Sequence, residues 1–188
     1  GTSLEKARDI VKQCHVPCIN KPEQIQKLTR PTMHGLFKDI DGIEVPKTLR
    51  VAPRKPEEIM AIWVTEFDNQ PVIIRRVGDH GGISTVLISE KSDVDTLHQF
   101  AFDGSGFDIS LFHNYVSEDG LYRKYRFVIV DGKAYLRHLI ISDQWMIHSA
   151  SRDYMASHPD CNDEEAVALE QYYADTPAPE VKTIIARL

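Results

Sequence analysis

Apolar residues recur at helical spacing from the first turn of the chain. Leu4, Ala7, Ile10 and Val11 share one face, which predicts a helix over residues 3–14 with Ser3 at its N-cap. A short apolar run, VPCIN, ends in a turn at Asn20-Lys21-Pro22. Pro22 suits the opening of a second helix with Ile25 and Leu28 inward, and Pro31 is expected to break it. Residues 32–39 read as a further turn or two of helix, closed by Asp41-Gly42. The period then changes. IEVPKTLRV alternates like a strand, residues 56–67 form a helix with Ile59, Met60 and Trp63 as its buried stripe, and PVIIRRV is a strand with STVLIS as its partner. Val94, Leu97 and Phe100 predict a helix over residues 92–101, and DGSGFD reads as a loop. Three strands follow, ISLFHNYV, YRKYRFVIV and KAYLRHLII; Asp131-Gly132 joins the last two as a hairpin, and WMIHSA reads as a further short run. An acidic helix over residues 163–173, a break at Thr176-Pro177-Ala178-Pro179 and a helix from Glu180 complete the pattern.

Helices followed by mixed and then antiparallel strands imply an α+β fold. The expected organisation is a helical lead-in over residues 1–45, a small α+β lobe over residues 46–116, and a partial second lobe over residues 117–188.

The 188 residues carry 22 Lys and Arg against 28 Asp and Glu, a net charge of -6, which disfavours nucleic acid as a partner. No apolar run approaches the ~18 residues of a membrane span, so no membrane partner is expected. The start is polar, unlike a signal peptide, and Gly1-Thr2-Ser3 reads as a cloning remnant ahead of one part of a longer protein. Three cysteines, Cys14, Cys18 and Cys161, match no disulfide framework and suit reduced thiols in the cytoplasm. Cys14, His15 and Cys18 invite a metal reading, but no second ligand pair follows at zinc spacing, so no metal ligand is assigned. Ser110, Ser142 and Ser149 lack a G-x-S-x-G setting, and Cys161 lacks an activating cation nearby in sequence.

The loop Gly78-Asp79-His80-Gly81-Gly82 between the two strand patterns is the strongest local chemistry. Glycines let backbone N–H groups approach an anion, and an adjacent arginine forks onto phosphate oxygens. Arg75 and Arg76 alternate along their strand, so one of them faces the site. A plain hairpin whose glycines only adopt positive φ is the competing reading.

Asn20-Lys21-Pro22, Ile25, Thr29-Arg30, Val45-Pro46-Lys47-Thr48, PVIIR with its glycine loop, and LFHNYVSEDGLYRKYRFVIVDGKAYLRHLIISDQWMIH, taken in order, resemble the ATP-grasp superfamily over about residues 8–175. The likeness is to ATP-grasp modules of bacterial proteins, some fused to helical repeats. Such enzymes join a carboxylate to an amine or thiol through an acyl phosphate, and hold ATP between two antiparallel sheets. The resemblance implies an ATP-grasp-like fold, with a small ATP-binding lobe and part of a larger antiparallel lobe incomplete at the C-terminus.

It also implies site residues. Arg30 stands where a cation ahead of the small lobe touches phosphates, and Arg75 ends the strand that the family writes as Pro, three apolar residues and Lys. Gly78, His80, Gly81 and Gly82 belong to the loop that closes over the phosphates. The adenine-facing hinge strand corresponds to residues 112–116, with His113, Asn114, Tyr115 and Val116. Arg126 opens the next strand, and Arg137 and His138 occupy basic positions on the one after it. Ordinary structural roles compete for several: Arg30 as a C-terminal helix cap, Arg126 on a solvated edge strand, His138 and His148 as core histidines.

ATP is the implied cofactor. Mg2+ is expected only if acidic ligands, an acidic strand and a Glu-x-Asn pair, follow residue 188 in a parent protein. The expected function is the nucleotide-binding portion of a carboxylate–amine or thiol ligase, without turnover in this chain. The alternative is a non-catalytic interaction module that reuses the fold and forms a homodimer through an exposed sheet edge.

Overall fold

A computed structural model describes residues 3–18, 21–79, 82–130, 133–173 and 179–187. With 42% helix and 22% strand in antiparallel sheets, the chain is α+β. Its elements are α1 (Ser3–Gln13), α2 (Pro22–Lys27), α3 (Arg30–Phe37), β1 (Thr48–Val51), α4 (Pro56–Phe67), β2 (Val72–Arg76), β3 (Thr85–Ile88), a 3-10 helix (Lys91–Gln99), β4 (Phe107–Leu111), β5 (Tyr122–Val130), β6 (Lys133–Ser142), α5 (Ser151–Ala156), α6 (Pro159–Tyr173) and α7 (Pro179–Arg187). Contacts divide the chain into two compact units, one of Gly1–Val45, Tyr125–Leu139 and Asp163–Leu188, the other of Pro46–Lys124 and Ile140–Asn162. Each unit is assembled from separated segments, where the sequence pattern suggested consecutive lobes.

In the first unit, α1 lies against α2, and Arg8 of α1 pairs with Glu23 of α2 at 3.3 Å. Pro31 does not break a helix: it sits in the first turn of α3, where its missing N–H costs no intrahelical bond. Thr29 is the N-cap there, reciprocally bonded with Thr32. Arg30 therefore opens a helix instead of capping a C-terminus. Tyr172 of α6 meets Phe127 and Tyr125 of β5 edge-on at 5.2 and 6.2 Å, and Glu165 accepts from the Leu139 N–H of β6 at 3.2 Å. The Asp131-Gly132 turn lies outside the described residues, while β5 and β6 pair in a two-stranded sheet.

The second unit is built on a four-stranded sheet of order β1-β4-β2-β3. All three pairings are antiparallel, and Ile74 of β2 stands opposite Val86 of β3 and Ile109 of β4. One face carries Val72, Ile74, Val86, Ile88, Phe107 and Ile109, all buried against Ile59, Trp63 and Phe67 of α4 and Leu97 of the 3-10 helix. Each such side chain contributes roughly 1.5–3 kcal/mol by leaving water. The Trp63 indole N–H donates to the Gln70 carbonyl at 2.6 Å, tying α4 to the chain entering β2. Asp68 and Asn69 make the intervening turn in the left-handed region, at φ 52° and 56°, which these two residue types tolerate.

Several elements depart from the periodicity. The helix expected over residues 92–101 is a 3-10 helix, because Val94, Leu97 and Phe100 recur every third residue and suit its tighter turn. IEVPKTLRV contributes strand only at Thr48–Val51, and Phe107 and Asp108, expected in a loop, begin β4. Residues 112–116 leave the sheet, so the expected hinge strand is irregular chain. WMIHSA forms bends instead of a strand, and α5 follows it.

Replacing Ile74, fully buried on the central strand β2, with Ala leaves a cavity in this core. Chemical denaturation is expected to show Ile74→Ala destabilised by about 2–5 kcal/mol; a loss under 1 kcal/mol would contradict this packing.

Candidate functional site

The face of the sheet turned away from α4 is polar. Cross-strand register places Arg50 of β1, Asp108 of β4, Arg75 of β2 and Thr85 of β3 in one row. Asp108 is only 1% exposed. Arg50 holds it with two parallel bonds, Nε to Oδ1 at 2.8 Å and Nη2 to Oδ2 at 3.1 Å. That hydrogen bonding raises the Arg50 pKa, against the opposing effect of burial. A desolvated carboxylate is tolerated only with such partners. Arg75 stands directly opposite Asp108 on the other side, and its Nε donates to Thr85 Oγ1 at 3.1 Å. Two guanidiniums around one carboxylate leave the row formally positive in an acidic chain. Arg76 points to the opposite face, toward Ser105 Oγ at 3.0 Å and Asp103 at 3.5 Å.

The glycine loop continues from β2. Val77 N–H donates to the Gly106 carbonyl at 2.8 Å, and Arg76 N–H to the Ser84 carbonyl at 3.3 Å. Ser84 Oγ also bonds the Asp79 carboxylate. Gly78 and Gly82 both have positive φ, 92° and 82°. A Cβ on Gly82 would lie 3.1 Å from Met146 Sδ and 3.7 Å from His148 Cδ2, so a side chain there would press on Met146 besides being strained by the positive φ. His80 and Gly81 lie outside the described residues. Ile83, just past the glycines, is 86% exposed.

Met146 and His148 line a pocket of about 350 Å³ together with Ser142, Asp143, Trp145 and Tyr154, all within the segment from 142 to 154. The opposite end of β2 reaches the same segment by another route. Antiparallel pairing puts the end of β4 beside the start of β2, and Phe112 N–H donates to the Pro71 carbonyl at 2.8 Å. From there Phe112 meets Trp145 edge-on at 5.5 Å, and the Tyr115 hydroxyl donates to the Trp145 carbonyl at 2.6 Å. Burial, followed by the influence of Tyr122, raises the Tyr115 pKa and keeps that hydroxyl a donor. Lys124 Nζ donates to the Ile147 carbonyl at 2.8 Å. Residues 144–148 thus touch both the glycine loop and the 112–116 segment.

His113 is half-buried, while Asn114, Tyr115 and Val116 are exposed. Asn114 Oδ1 accepts from the Val116 N–H at 3.4 Å and from the Tyr122 hydroxyl at 3.3 Å. Among the described residues, the backbone N–H and C=O groups of Asn114 and Tyr115 pair with no other backbone group.

Arg75, Gly78, Gly82 and residues 113–116 therefore share one compact unit, whereas Arg30, Arg126, Arg137 and His138 belong to the other. Arg126 on β5 and Arg137 on β6 are exposed, Arg30 is exposed at the start of α3, and His138 is half-buried. Asp143, Trp145, Met146 and Tyr154 line the pocket without belonging to any sequence motif, and His148, which reads from sequence as a core histidine, is half-buried there. Their only local signal was a mixed aromatic and polar run without periodicity. Tyr154 stacks on His158 at 4.0 Å, and burial, with Asp143, Cys161 and Asp119 adding, raises its pKa. Among the described residues no group of three or more His, Cys, Asp or Glu is placed to hold a metal ion, and no helix is long and apolar enough to cross a membrane.

Comparison with protein-family models, with curated proteins and with solved structures finds no match to the chain.

The loop after residue 116 is closed by Arg123, whose guanidinium bonds both oxygens of Asp119 at 3.0 and 2.7 Å. The Arg123 hydrogen bonds, then the Leu121 N–H, lower the Asp119 pKa from 3.8 to about 2. Because the folded value is depressed, any stability from this contact is present above the unfolded value of 3.8 and is lost as pH falls through about 2. Carboxyl-resolved NMR is expected to find the Asp119 midpoint at about 2 and to see it return toward 3.8 in Arg123→Ala.

Proposed function

We propose that the unit of Pro46–Lys124 and Ile140–Asn162 binds ATP or ADP, as the nucleotide-holding part of an ATP-grasp-like carboxylate–amine or thiol ligase. The observation that carries the reading is the placement of Arg75. It projects from the polar face of β2, next to the glycine loop, with the 112–116 segment at the far end of the same strand. A strand of five residues spans roughly 13 Å at ~3.3 Å per step, comparable with an extended nucleoside triphosphate. The adenine edge needs one donor and one acceptor, which the backbone of Asn114 and Tyr115 offers. The phosphates need cations and N–H groups, which Arg75 and the loop at Gly78 and Gly82 offer. Arginine, in the place where the family has lysine, presents a planar fork in place of a point charge, so two phosphate oxygens are gripped at once.

Arg30, Arg126, Arg137 and His138 belong to the other unit and carry no part of this reading, and Mg2+ enters it as the companion of the phosphates. An interaction module is the competing function, with β1 and β3 as the free edges of the sheet.

Titration calorimetry with Mg-ATP tests the assignment. The native chain is expected to release heat, Arg75→Ala to bind roughly ten-fold or more weakly, as loss of a charge-assisted hydrogen bond implies, and Arg75→Lys to fall between them. No heat from folded native protein defeats the nucleotide reading, and a dimer that persists on dilution would then favour the interaction module.

A further inference from the structure

The pocket of about 350 Å³ in the segment from 142 to 154 combines aromatic walls with a single charge. Trp145, Tyr154 and Met146 line it, and Asp143 is the one Asp, Glu, Lys or Arg among its described lining residues. Arg75 and the loop glycines Gly78 and Gly82 do not line it, so the pocket stands apart from the nucleotide reading. Among the described residues the Asp143 carboxylate accepts one long hydrogen bond, from Ser142 Oγ at 3.5 Å, and meets no cation. Basic groups on the neighbouring elements bond elsewhere. Lys124 Nζ donates to the Ile147 carbonyl at 2.8 Å, Arg123 holds both oxygens of Asp119, and Arg152 Nη1 lies 3.6 Å from Met155 Sδ. His148 Nδ1 accepts from the Ala150 N–H at 3.1 Å, so the ring is neutral in this arrangement and adds no positive charge. The Tyr154 hydroxyl senses the same sign: after burial, the groups that raise its pKa are Asp143, Cys161 and Asp119, all acidic.

We propose that this pocket binds a small quaternary ammonium ion, with Trp145 and Tyr154 against its methyl groups and Asp143 balancing its charge. A cation is attracted to the negative face of an aromatic ring, and the attraction grows as water is excluded. Asp143 is exposed, so alone it would hold a cation weakly, screened by water and salt. Aromatic walls alone would accept any small apolar molecule. Together they select a ligand that is both charged and methyl-covered. A primary ammonium brings three N–H donors that each need an acceptor. The Ser142 and Ser151 hydroxyls already accept from the backbone N–H groups of Gln144 and His148, so the lining suits a cation that donates no hydrogen bond. Both rings are positioned beforehand. Trp145 packs edge-on to Phe112 at 5.5 Å, and Tyr154 has one face covered by His158 at 4.0 Å while its ring still lines the cavity. Little side-chain freedom is then lost when the ligand enters.

Choline is the probe, compared with the neutral alcohol that has carbon in place of its nitrogen (dimethylbutanol) and with adenosine. The chain has two tryptophans. Trp63 is 2% exposed with its indole N–H on the Gln70 carbonyl, so its indole NMR signal is an internal control for that of Trp145, which Trp145→Phe assigns. Choline is expected to move the Trp145 signal and leave that of Trp63 in place, and the neutral alcohol to bind about ten-fold or more weakly. Asp143→Asn is expected to bind choline about five-fold more weakly, Tyr154→Leu about ten-fold, and Tyr154→Phe as the native chain does. Asp143→Asn changes an exposed side chain and keeps the test decisive if the Leu variant fails to fold. The proposal is overturned if the neutral alcohol binds as well as choline, or if folded Asp143→Asn matches the native chain. It also falls if adenosine moves the Trp145 signal where choline does not, or if choline at tens of millimolar leaves that signal unmoved.

Discussion

The alternation of side chains along two neighbouring strands governs the second unit. On β2 and β4, Val72, Ile74, Phe107 and Ile109 must all reach the core against α4, and a strand sends successive side chains to opposite faces. Arg75 and Asp108 are consequently forced together on the other face, in register. A slip of one residue would bury both charges under α4 and expose the isoleucines. The position of the arginine is thus a by-product of hydrophobic burial, and it is as firmly determined as the core itself.

That polar face is more than a default. A carboxylate at 1% exposure is costly unless charged partners surround it, and Asp108 has arginines on both flanking strands. The two parallel bonds from Arg50 occupy both oxygens of Asp108. Arg75 is tethered through Thr85 on the outer strand, so its guanidinium is constrained before any ligand arrives. A preorganised cation forgoes less side-chain entropy on binding than a solvent-exposed one. The net charge of -6 concealed this, because it sums over a surface and says nothing of one sheet face.

Legibility in the sequence followed the range of the signal. The α4 stripe, the β2–β3 hairpin and the acidic α6 rest on local periodicity and are readable from it. The alternation of Arg75 with Arg76 is readable too, but the choice between them requires knowing that Phe107 lies opposite Arg76. Pro31 illustrates a different limit, since the same residue ends one helix or begins the next and only the Thr29 cap decides. The pocket segment was opaque. Trp145, Met146 and His148 have no strand or helix period, and their meaning comes from Gly82 and Tyr115, distant in sequence. Equally, the division of the chain into units built from separated segments cannot be read from composition.

Residues 144–148 reach both of the loops that flank β2. The glycine loop and the 112–116 segment lie at opposite ends of β2, so no single turn can serve both. An irregular segment running alongside can, because its backbone carbonyls are not consumed by a sheet. The Trp145 carbonyl takes the Tyr115 hydroxyl and the Ile147 carbonyl takes Lys124, which anchors the segment at one end. Met146 and His148 then fill the space that Gly82 leaves, which anchors it at the other. Had residues 145–150 formed the strand that their apolar character suggests, those carbonyls would have been spent on a ladder. The absence of regular structure there is what frees the side chains of Trp145 and His148 to face a common pocket.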